Sequence, residues 1–540
     1  MSLRLRSLTR AVLRHRPPIR SSPASLHCPP RHAYATQAQP LPPTKPSIFG
    51  QPTAKSHTHL VNPGEVTPGI PASEYERRRR QLIDGLPDGS LVVCMAGHVK
   101  YMSGAIFYKF RQASDFWYLT GFEEPDSALI LEKNSSPRGF RMLLYSTGKD
   151  PSKEKWDGAS TRFTDVVALF GADDARPLDT FTDDLRALVA RAEHVYADIS
   201  HQHQHNHNHN QHQRHHQHHH RRISGTRLLL KYLSRGQQAT TSHSHDDASG
   251  QQSYLDVIAG SRSKRRSLAP LVGTLRSVKS ECEVEVMKAS AEISARAHAK
   301  TMRFAQPGLS EADLRAHFEY ICARGGAQRS AYVPVVASGE NALIIHYTRN
   351  DHLLRDGELV LMDAGGEYNG YASDISRTFP VNGTFTPPQR DLYAALLAAQ
   401  KALVAECAVA RGHTLDTLHR RSVDLLRAEL SRVGVPCAGP VLERVLYPHY
   451  LTHPIGIDLH ESGTVERNAP LKEGMVITIE PGVYVPADPQ FPKHFHGFGM
   501  RIEDEVLIGA EHPVVLSASA PKEIEDVEGA CQGALEFGPF

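Results

Sequence analysis

Residues 361–379 read LMDAGGEYNGYASDISRTF, and this stretch decides the fold prediction. Asp363 and Asp374 lie eleven residues apart in strand-like sequence, and the glycine-rich segment between them predicts a tight turn. A hairpin of this kind can bring both carboxylates to one place. Either aspartate alone is more often a turn residue or a surface charge, so the pair by itself is a weak signal.

Two further carboxylates lie in apolar, strand-like sequence nearer the C-terminus. Glu480 occurs in VITIEPGVY and Glu503 in GMRIEDEV. A buried carboxylate without a partner is costly, so both positions predict a nearby counter-charge. His453, in HYLTHPIGIDLHE, adds one imidazole to the set.

Four carboxylates and one imidazole together predict a site for two divalent metal ions. Two such ions would balance four negative charges, and ions about 3.5 to 4 Å apart need carboxylates that bridge them. Mostly oxygen ligands favour Mn²⁺ over a metal that prefers thiolates. Each residue taken singly could instead be a satisfied core group or a capped turn, but the complete set favours the metal site.

Helix and strand signals around these motifs recur in the same order. Ser280 with Glu283 predicts a capping box at the start of one helix pair, and Thr386 with Gln389 opens a second pair. Strand-like segments follow each pair, so residues 276–520 are predicted to form two similar halves. The strand-like segments are 333–337, 359–363, 371–379, 475–484 and 499–508.

The region before these motifs predicts a separate α/β domain over residues 65–275. A charged helix over 75–90 is followed by apolar, strand-like sequence at 91–95 and 128–132. Alternating helices and strands are typical of this class.

An insertion is predicted inside that domain at 197–252. It contains eleven histidines between residues 201 and 220. A metal-buffering loop is one interpretation. A disordered, expanded repeat is favoured, because nothing beside the tract would fix the geometry of metal ligands.

The first 36 residues have the composition of a mitochondrial transit peptide. They carry seven arginines and no acidic residue. A disordered basic arm is the alternative interpretation. Residues 37–64 are predicted to be a linker and 521–540 a tail, and the predicted location of the protein is the mitochondrial matrix.

Charge and composition exclude several classes of function. Residues 1–64 hold nine Lys or Arg and no Asp or Glu, so the formal net charge of +2 becomes −7 for the remainder. A mildly acidic body argues against nucleic acid as the main partner. The sequence predicts no transmembrane segment, and its seven scattered cysteines predict no disulfide framework. The sequence is compatible with a homo-oligomer.

Residues 276–508 resemble the pita-bread metallopeptidase domain, since the four carboxylates and His453 match the metal ligands of that family in order and approximate spacing. RQASDFWYLTGFEEPDSALIL (111–131) is similar to the creatinase-like N-terminal domain of aminopeptidase P and less so to prolidase. PGEVTPGIPASEYERRR (63–79) and KEKWDG (153–158) are similar to mitochondrial members of the aminopeptidase P family. The resemblance implies an α/β (α+β) fold with those two domains in that order.

The resemblance also implies how the metal ligands are shared. Asp363 would bind one metal ion, Glu480 and His453 would bind the other, and Asp374 and Glu503 would bridge the two.

Further residues are implied to bind substrate or handle protons. They are His346, His449, His460, Trp117 and Glu480. The histidines could alternatively be hydrogen-bonded core residues. Arg501, two residues before Glu503, could orient a ligand carboxylate through an ion pair.

The implied activity is that of an aminopeptidase that hydrolyses the first peptide bond of a peptide or protein N-terminus. The predicted substrates are imported mitochondrial proteins, from which one residue is removed, with Xaa-Pro cleavage as a further capacity. The alternatives are a proline-specific Xaa-Pro aminopeptidase, a prolidase, and a non-catalytic pita-bread binding module.

Overall fold

The computed structural model describes residues 47–198, 254–461, 463 and 465–535. The predicted leader and nearly all of the predicted histidine-rich insertion lie outside these residues. The described part of the chain belongs to one compact unit, Thr44–Phe540. No helix within it is both long and apolar enough to cross a membrane.

A mixed six-stranded sheet forms the centre of the N-terminal domain. The strands of this region are β1 (Glu65–Thr67), β2 (Ile70–Pro71), β3 (Ser90–Met95), β4 (Tyr101–Ser103), β5 (Ile106–Phe107), β6 (Ala128–Lys133), β7 (Phe140–Ser146), β8 (Asp174–Pro177), β9 (His194–Ala197) and β10 (Lys264–Ser267). The sheet has the order β10-β9-β3-β6-β7-β8. Its central strand β3 runs parallel to β9 and antiparallel to β6.

Helices pack around this sheet. They are α1 (Ala72–Asp84), α2 (Ser114–Thr120), α3 (Pro151–Asp157), α4 (Phe163–Phe170), α5 (Phe181–Val189) and α6 (Ala269–Ser277). Residues 254–259 are also helical. The predicted charged helix corresponds to α1 and the two predicted strands to β3 and β6, so the α/β character of the domain is confirmed.

Residues 47–64, predicted to be part of a linker, pack onto this domain instead. Phe49 and Val61 are buried, and Gln51 Nε2 donates a hydrogen bond to the Gly121 carbonyl at 2.9 Å. A composition rich in Pro, Ser and Thr suggested a linker, but a few buried side chains are enough to hold the segment in place. The folded domain therefore begins earlier than predicted.

The C-terminal domain repeats one order of elements twice. Its strands are β11 (Arg329–Ser330), β12 (Val335–Ser338), β13 (Leu359–Asp363), β14 (Gly366–Tyr368), β15 (Tyr371–Ala372), β16 (Ser376–Pro380), β17 (Val476–Ile479), β18 (Gly482–Tyr484), β19 (Gly499–Arg501), β20 (Asp504–Leu507) and β21 (Val514–Val515). Its helices are α7 (Glu281–Phe304), α8 (Glu311–Arg324), α9 (Pro387–Ala405), α10 (Leu415–Arg432) and α11 (Ile524–Gln532). The pair α7 and α8 precedes the antiparallel sheet β12-β13-β16, and the pair α9 and α10 precedes the antiparallel sheet β17-β20-β21.

The starts of these helices follow the local capping signals. Capping boxes form at Ser280 with Glu283 and at Thr386 with Gln389, as predicted. Such boxes satisfy amide groups that the first helical turn leaves unpaired. The helix pairs therefore begin where the local sequence places them.

The C-terminal segment, predicted to be a tail, instead contains helix α11. Ile524, Val527 and Ala530 are buried in the main core of the domain. Their spacing of three residues places them on one face of the helix, which packs against α7. Residues 524–532 are therefore part of the C-terminal domain.

A second core joins the two domains. It contains Trp117 from α2 together with Tyr371 from β15 and Ile457. The Trp117 ring meets Tyr75 and Tyr371 edge-on, with centroid distances of 6.4 and 5.8 Å. Burial of these aromatic side chains fixes the β14–β15 hairpin against the N-terminal domain.

The turn of that hairpin generates a first prediction. Asn369 and Gly370 both have positive φ, 47° and 83°, and a Cβ at Gly370 would lie 2.6 Å from the Trp117 ring. Gly370→Ala is therefore expected to lower the free energy of unfolding by about 1 to 3 kcal/mol beyond the cost of backbone strain. Urea denaturation measures the loss.

Gly412→Ala is the matched control. Gly412 also has a positive φ, 68°, but a Cβ there would meet nothing within 4 Å. It should therefore lose only the strain contribution of about 1 to 2 kcal/mol. Equal losses for the two variants would contradict the role assigned to Trp117 packing.

Candidate metal centre

Each of the four predicted carboxylates lies at a strand end or a strand break. Asp363 is the last residue of β13, and Asp374 lies between β15 and β16. Glu480 follows β17, and Glu503 separates β19 from β20. Because side chains of a continuous strand alternate between two faces, these breaks let the chain direct the carboxylates to one side.

Three of the predicted residues lie closest together. Carboxylate oxygens of Asp374 and Glu503 and an imidazole nitrogen of His453 all lie within 4.8 Å of one another. His453 Nε2 is 3.3 Å from Asp374 Oδ2 and 3.7 Å from Glu480 Oε1. The backbone holds His453 in place, since its amide donates to Thr478 Oγ1 at 3.1 Å.

Asp363 is joined to this group by two side chains. The Tyr332 hydroxyl donates to Asp374 Oδ1 at 2.7 Å and also contacts Asp363 Oδ1. Arg501 Nη2 lies 2.5 Å from Asp363 Oδ2, and its Nη1 donates to the Tyr484 hydroxyl at 2.7 Å. Arg501 thus forms an ion pair with Asp363, and its part in orienting a metal ligand stays a prediction.

Two more supporting residues were not predicted. Ser376 Oγ donates to Glu503 Oε2 at 2.7 Å. Glu505 Oε1 accepts hydrogen bonds from the Asp374 amide at 2.8 Å and from Ser373 Oγ at 2.7 Å. Ser376 lies two residues after Asp374, and Glu505 lies two residues after Glu503. The alternation of side chains along a strand could therefore have indicated both. Tyr332 belongs to a distant segment, and no local signal indicates it.

Burial and mutual repulsion dominate the electrostatics. Burial raises the pKa of Glu480 to about 7, against the opposing charge of His453. Burial and then Asp374 raise the pKa of Glu503 well above its usual range. Burial alone would lower the pKa of His453, but the hydrogen bond to Asp374 and the charge of Glu480 raise it to about 9. A cluster with this excess of negative charge, built from carboxylate oxygens and one imidazole nitrogen, fits divalent metal ions.

His449 lies beside the carboxylates. Its Nε2 is 3.0 Å from the Tyr484 hydroxyl, and its Nδ1 is 3.9 Å from Glu480 Oε2. Burial, followed by the charge of Arg501, lowers the pKa of His449 to about 3. The imidazole is therefore neutral at physiological pH and can take part in hydrogen bonds as donor or acceptor.

The two remaining histidines are more exposed. The rings of His460 and His453 have a centroid distance of 4.3 Å. Burial and then the neighbouring charge of His453 lower the pKa of His460. His346 interacts electrostatically with both His449 and His460. His449 and His460 thus lie at the candidate metal centre, and the predicted role of His346 stays a prediction.

Trp117 does not belong to this group of contacts. Its ring lies in the core shared by the two domains, and its Nε1 donates to Glu123 Oε1 at 3.4 Å. Its predicted role in lining the substrate pocket stays a prediction.

Comparison with known proteins gives the family. The profile of metallopeptidase family M24 matches residues 285–510, and that of the aminopeptidase P N-terminal domain matches residues 75–196. Intermediate cleaving peptidase 55 of Schizosaccharomyces pombe is 37% identical over 479 residues, which are 89% of this chain and 91% of that protein. The chain belongs to the aminopeptidase P family.

Other members show the same extensive likeness. Intermediate cleaving peptidase 55, mitochondrial, of Arabidopsis thaliana is 36% identical over 92% of this chain and 89% of its own length. Xaa-Pro aminopeptidase 3 of Rattus norvegicus is 34% identical over 92% of this chain and 93% of its own length. The crystal structure of Icp55 from Saccharomyces cerevisiae has a TM-score of 0.74 at 32% identity, covering 87% of this chain and 100% of that one.

Membership of the aminopeptidase P family confirms the main predictions. The fold is a mixed α/β arrangement in which an aminopeptidase P N-terminal domain precedes a pita-bread domain. The chain is a metallo-aminopeptidase and uses a divalent metal. Both matched ranges fall inside the predicted spans 65–275 and 276–520, and the boundary between the two spans stays a prediction.

The contacts of Tyr332 generate a second prediction. Tyr332→Phe removes the hydroxyl that donates to Asp374, so the carboxylates should lose their fixed orientation. We expect metal affinity or activity to fall by about 10- to 100-fold. Titration of metal-depleted enzyme with Mn²⁺, followed by release of an N-terminal residue, measures both quantities.

Tyr320→Phe serves as the control, because Tyr320 is 52% exposed on helix α8. That variant should titrate like the wild type. Tyr332→Phe with wild-type affinity and turnover would show that the hydroxyl is dispensable.

Proposed function

We propose that this protein is a dinuclear-metal aminopeptidase that removes one residue from the N-termini of imported proteins in the mitochondrial matrix. The observation that carries the proposal is the group of carboxylates at strand breaks, collected around His453. Membership of an aminopeptidase family agrees with it. The relatives named intermediate cleaving peptidase favour protein N-termini as substrates.

The proposed ligands are the five predicted residues. Asp363 would hold one metal ion, His453 and Glu480 would hold the other, and Asp374 and Glu503 would be shared between them. We propose Mn²⁺ because oxygen donors dominate the set. When bound, the two ions would lower the pKa of a water molecule and polarise the peptide carbonyl.

The side chains around the ligands supply the remaining chemistry. Glu480 takes up the proton of the attacking water, since its carboxylate lies inside the site, 3.7 Å from His453 Nε2. His449 donates from Nδ1 to the Tyr450 carbonyl at 2.9 Å and accepts from the Tyr484 hydroxyl at Nε2, so the ring is held in place beside Glu480 to contact the substrate. His460 and His346 contact the substrate and deliver a proton to the leaving nitrogen.

The location and the substrate rest on different observations. The Arg-rich, acid-free leader and the relative described as mitochondrial support import into mitochondria. A precursor exposes a new N-terminus when its own leader is cut. We propose that this enzyme removes a bulky first residue such as Tyr, Leu or Phe from that terminus.

A second candidate function is proline-specific cleavage of Xaa-Pro peptides. It is favoured by the relatives named Xaa-Pro aminopeptidase 3, which are as extensively similar as the intermediate cleaving peptidases. Both functions use the same metal centre, but the trimming function selects a bulky residue before the scissile bond and the other selects proline after it. A non-catalytic module is disfavoured, because the five ligand side chains occur together.

The proposed ligand set generates a third prediction. Asp374→Asn and Glu503→Gln each remove a bridging charge, so two cations would repel each other with less compensation. We expect a loss of nearly all turnover and of bound metal while the fold is kept. Elemental analysis, peptide hydrolysis and circular dichroism of the purified variants measure these properties.

Glu511→Gln provides a matched change at an exposed carboxylate of the same domain. It should retain both metal and turnover. Full metal occupancy with wild-type turnover in Asp374→Asn or Glu503→Gln would reject the ligand assignment.

The trimming role generates a fourth prediction. Cells that lack this protein should contain mitochondrial proteins longer by one residue, and the extra residue should be bulky. Sequencing of mature N-termini by mass spectrometry with and without the protein makes the comparison. Accumulation of Xaa-Pro peptides with unchanged protein N-termini would favour the proline-specific function instead.

A further inference from the structure

A buried arginine links the two domains at the candidate metal centre. Arg276, on helix α6, has a side chain that is 5% exposed. Its Nη1 lies 2.6 Å from Asp115 Oδ1 of the N-terminal domain. Its Nη2 and Nε each lie 2.5 Å from a carboxylate of the C-terminal domain, those of Asp458 and Glu461. These two acids lie on residues 453–461, which we call the histidine loop because His453 and His460 both belong to it.

The N-terminal domain makes further contacts with the same loop. Ser114 Oγ donates to Asp458 Oδ1 at 2.5 Å. Arg111 Nη2 donates to the Ile457 carbonyl at 2.6 Å. The end of the histidine loop that precedes His460 is thus held by side chains of the other domain.

The opposite end of the loop is held by the C-terminal domain itself. The Thr478 amide donates to the His453 carbonyl at 2.9 Å, which fixes the loop to strand β17. The Ile455 amide also donates to the Val476 carbonyl at 3.1 Å, and the Glu461 amide donates to the Pro454 carbonyl at 2.8 Å, which closes the loop on itself. The segment between these backbone bonds carries Asp458 and His460, and it is held by the side chains of the N-terminal domain.

The loop closes tightly around the buried carboxylate of Glu461. A Cβ at Gly456 would lie 2.4 Å from Glu461 Oε2 and 3.0 Å from Lys279 Cε. The Glu461 side chain is 1% exposed. A carboxylate so deeply buried needs a cation, so the path of the loop depends on the charge of Arg276.

A guanidinium suits this position better than an ammonium group. Its planar fork presents five N–H donors in fixed directions and can bind three carboxylates at once. Lysine would keep the charge of Arg276 but would reach fewer partners. Asp115, Asp458 and Glu461 would then repel one another with less compensation.

We propose that Arg276 is a positioning residue through which the N-terminal domain sets the place of His460 beside His453. The centroid distance of 4.3 Å between the two rings would then depend on Asp115, which lies on another domain. The inference rests on the proposed function, in which His453 binds metal and His460 contacts the substrate. It assigns the N-terminal domain a part in shaping the active site.

Two variants test the inference, one at Arg276 and one at its partner Asp115. Arg276→Lys weakens all three ion pairs, and Asp115→Asn removes only the ion pair by which the N-terminal domain orients the Arg276 side chain. We expect kcat/KM for release of an N-terminal residue to fall by about 10- to 100-fold in Arg276→Lys, because small misplacements of contact groups are costly. Asp115→Asn should show a smaller loss in the same direction. If Arg276→Lys does not fold, the loss of kcat/KM in Asp115→Asn tests the positioning role by itself.

The double variant with His460→Ala separates positioning from general destabilisation. If Arg276 acts through His460, Arg276→Lys should cause little further loss in the His460→Ala background. Losses that multiply would overturn the inference. Wild-type kinetics in both Arg276→Lys and Asp115→Asn would overturn it as well.

Arg78→Lys is the matched control. Arg78 is also buried and also joins the domains, but it contacts Glu283 and the Tyr371 hydroxyl, each at 3.2 Å, instead of the histidine loop. It should lower thermal stability without the non-additive pattern. The same non-additivity in Arg78→Lys would reject a specific role for Arg276.

Amide hydrogen exchange across residues 453–461 gives a readout that does not need activity. Exchange should become faster in Arg276→Lys and Asp115→Asn but not in Arg78→Lys. Unchanged exchange would overturn the positioning role even if turnover fell. Faster exchange together with a wild-type enzyme that released no N-terminal residue would reject the proposed function and retain the positioning role.

Discussion

Mutual repulsion among buried carboxylates is the constraint on which the other features of the C-terminal domain depend. Carboxylate oxygens of Glu503 and Asp374 and a ring nitrogen of His453 lie within 4.8 Å of one another. Burial raises the pKa of Glu503. Charges of one sign stay buried only where cations and hydrogen-bond donors compensate them. Arg501, Ser376 and Tyr332 supply part of that compensation from three different segments. The remaining negative charge is what makes the site suitable for divalent metal ions.

Helices and their ends could be predicted because their causes are local. A capping box needs only residues three apart, as at Ser280 with Glu283, and that signal was correct. Strand positions were also predicted, but continuous strands were expected over 475–484 and 499–508. The structure interrupts them at Glu480 and Glu503. The interruptions let the carboxylates point toward the site. A periodic pattern of apolar residues does not predict the direction of these side chains.

Long-range partners were the part of the site that the sequence could not indicate. Arg501 could be anticipated, since it lies two residues from Glu503 on alternating sequence. Tyr332 could not, because it comes from a segment 31 residues before Asp363 and carries no pattern of its own. Trp117 was associated with the substrate pocket through its motif, yet its contacts lie in the core shared by two domains. A motif indicates the protein family of a chain more readily than it indicates the side-chain contacts of each residue in the motif.

The segment just before helix α11 supports the residue that follows a proposed metal ligand. Lys522 pairs with Asp504 at 2.5 Å, and Arg377 Nε donates to the Pro521 carbonyl at 3.0 Å. Asp504 directly follows Glu503, and its side chain is fully buried. Loss of residues 521–532 would therefore leave a buried carboxylate without one of its cations beside the metal centre. Damage to a segment far from the ligands in sequence would in this way reach the active site.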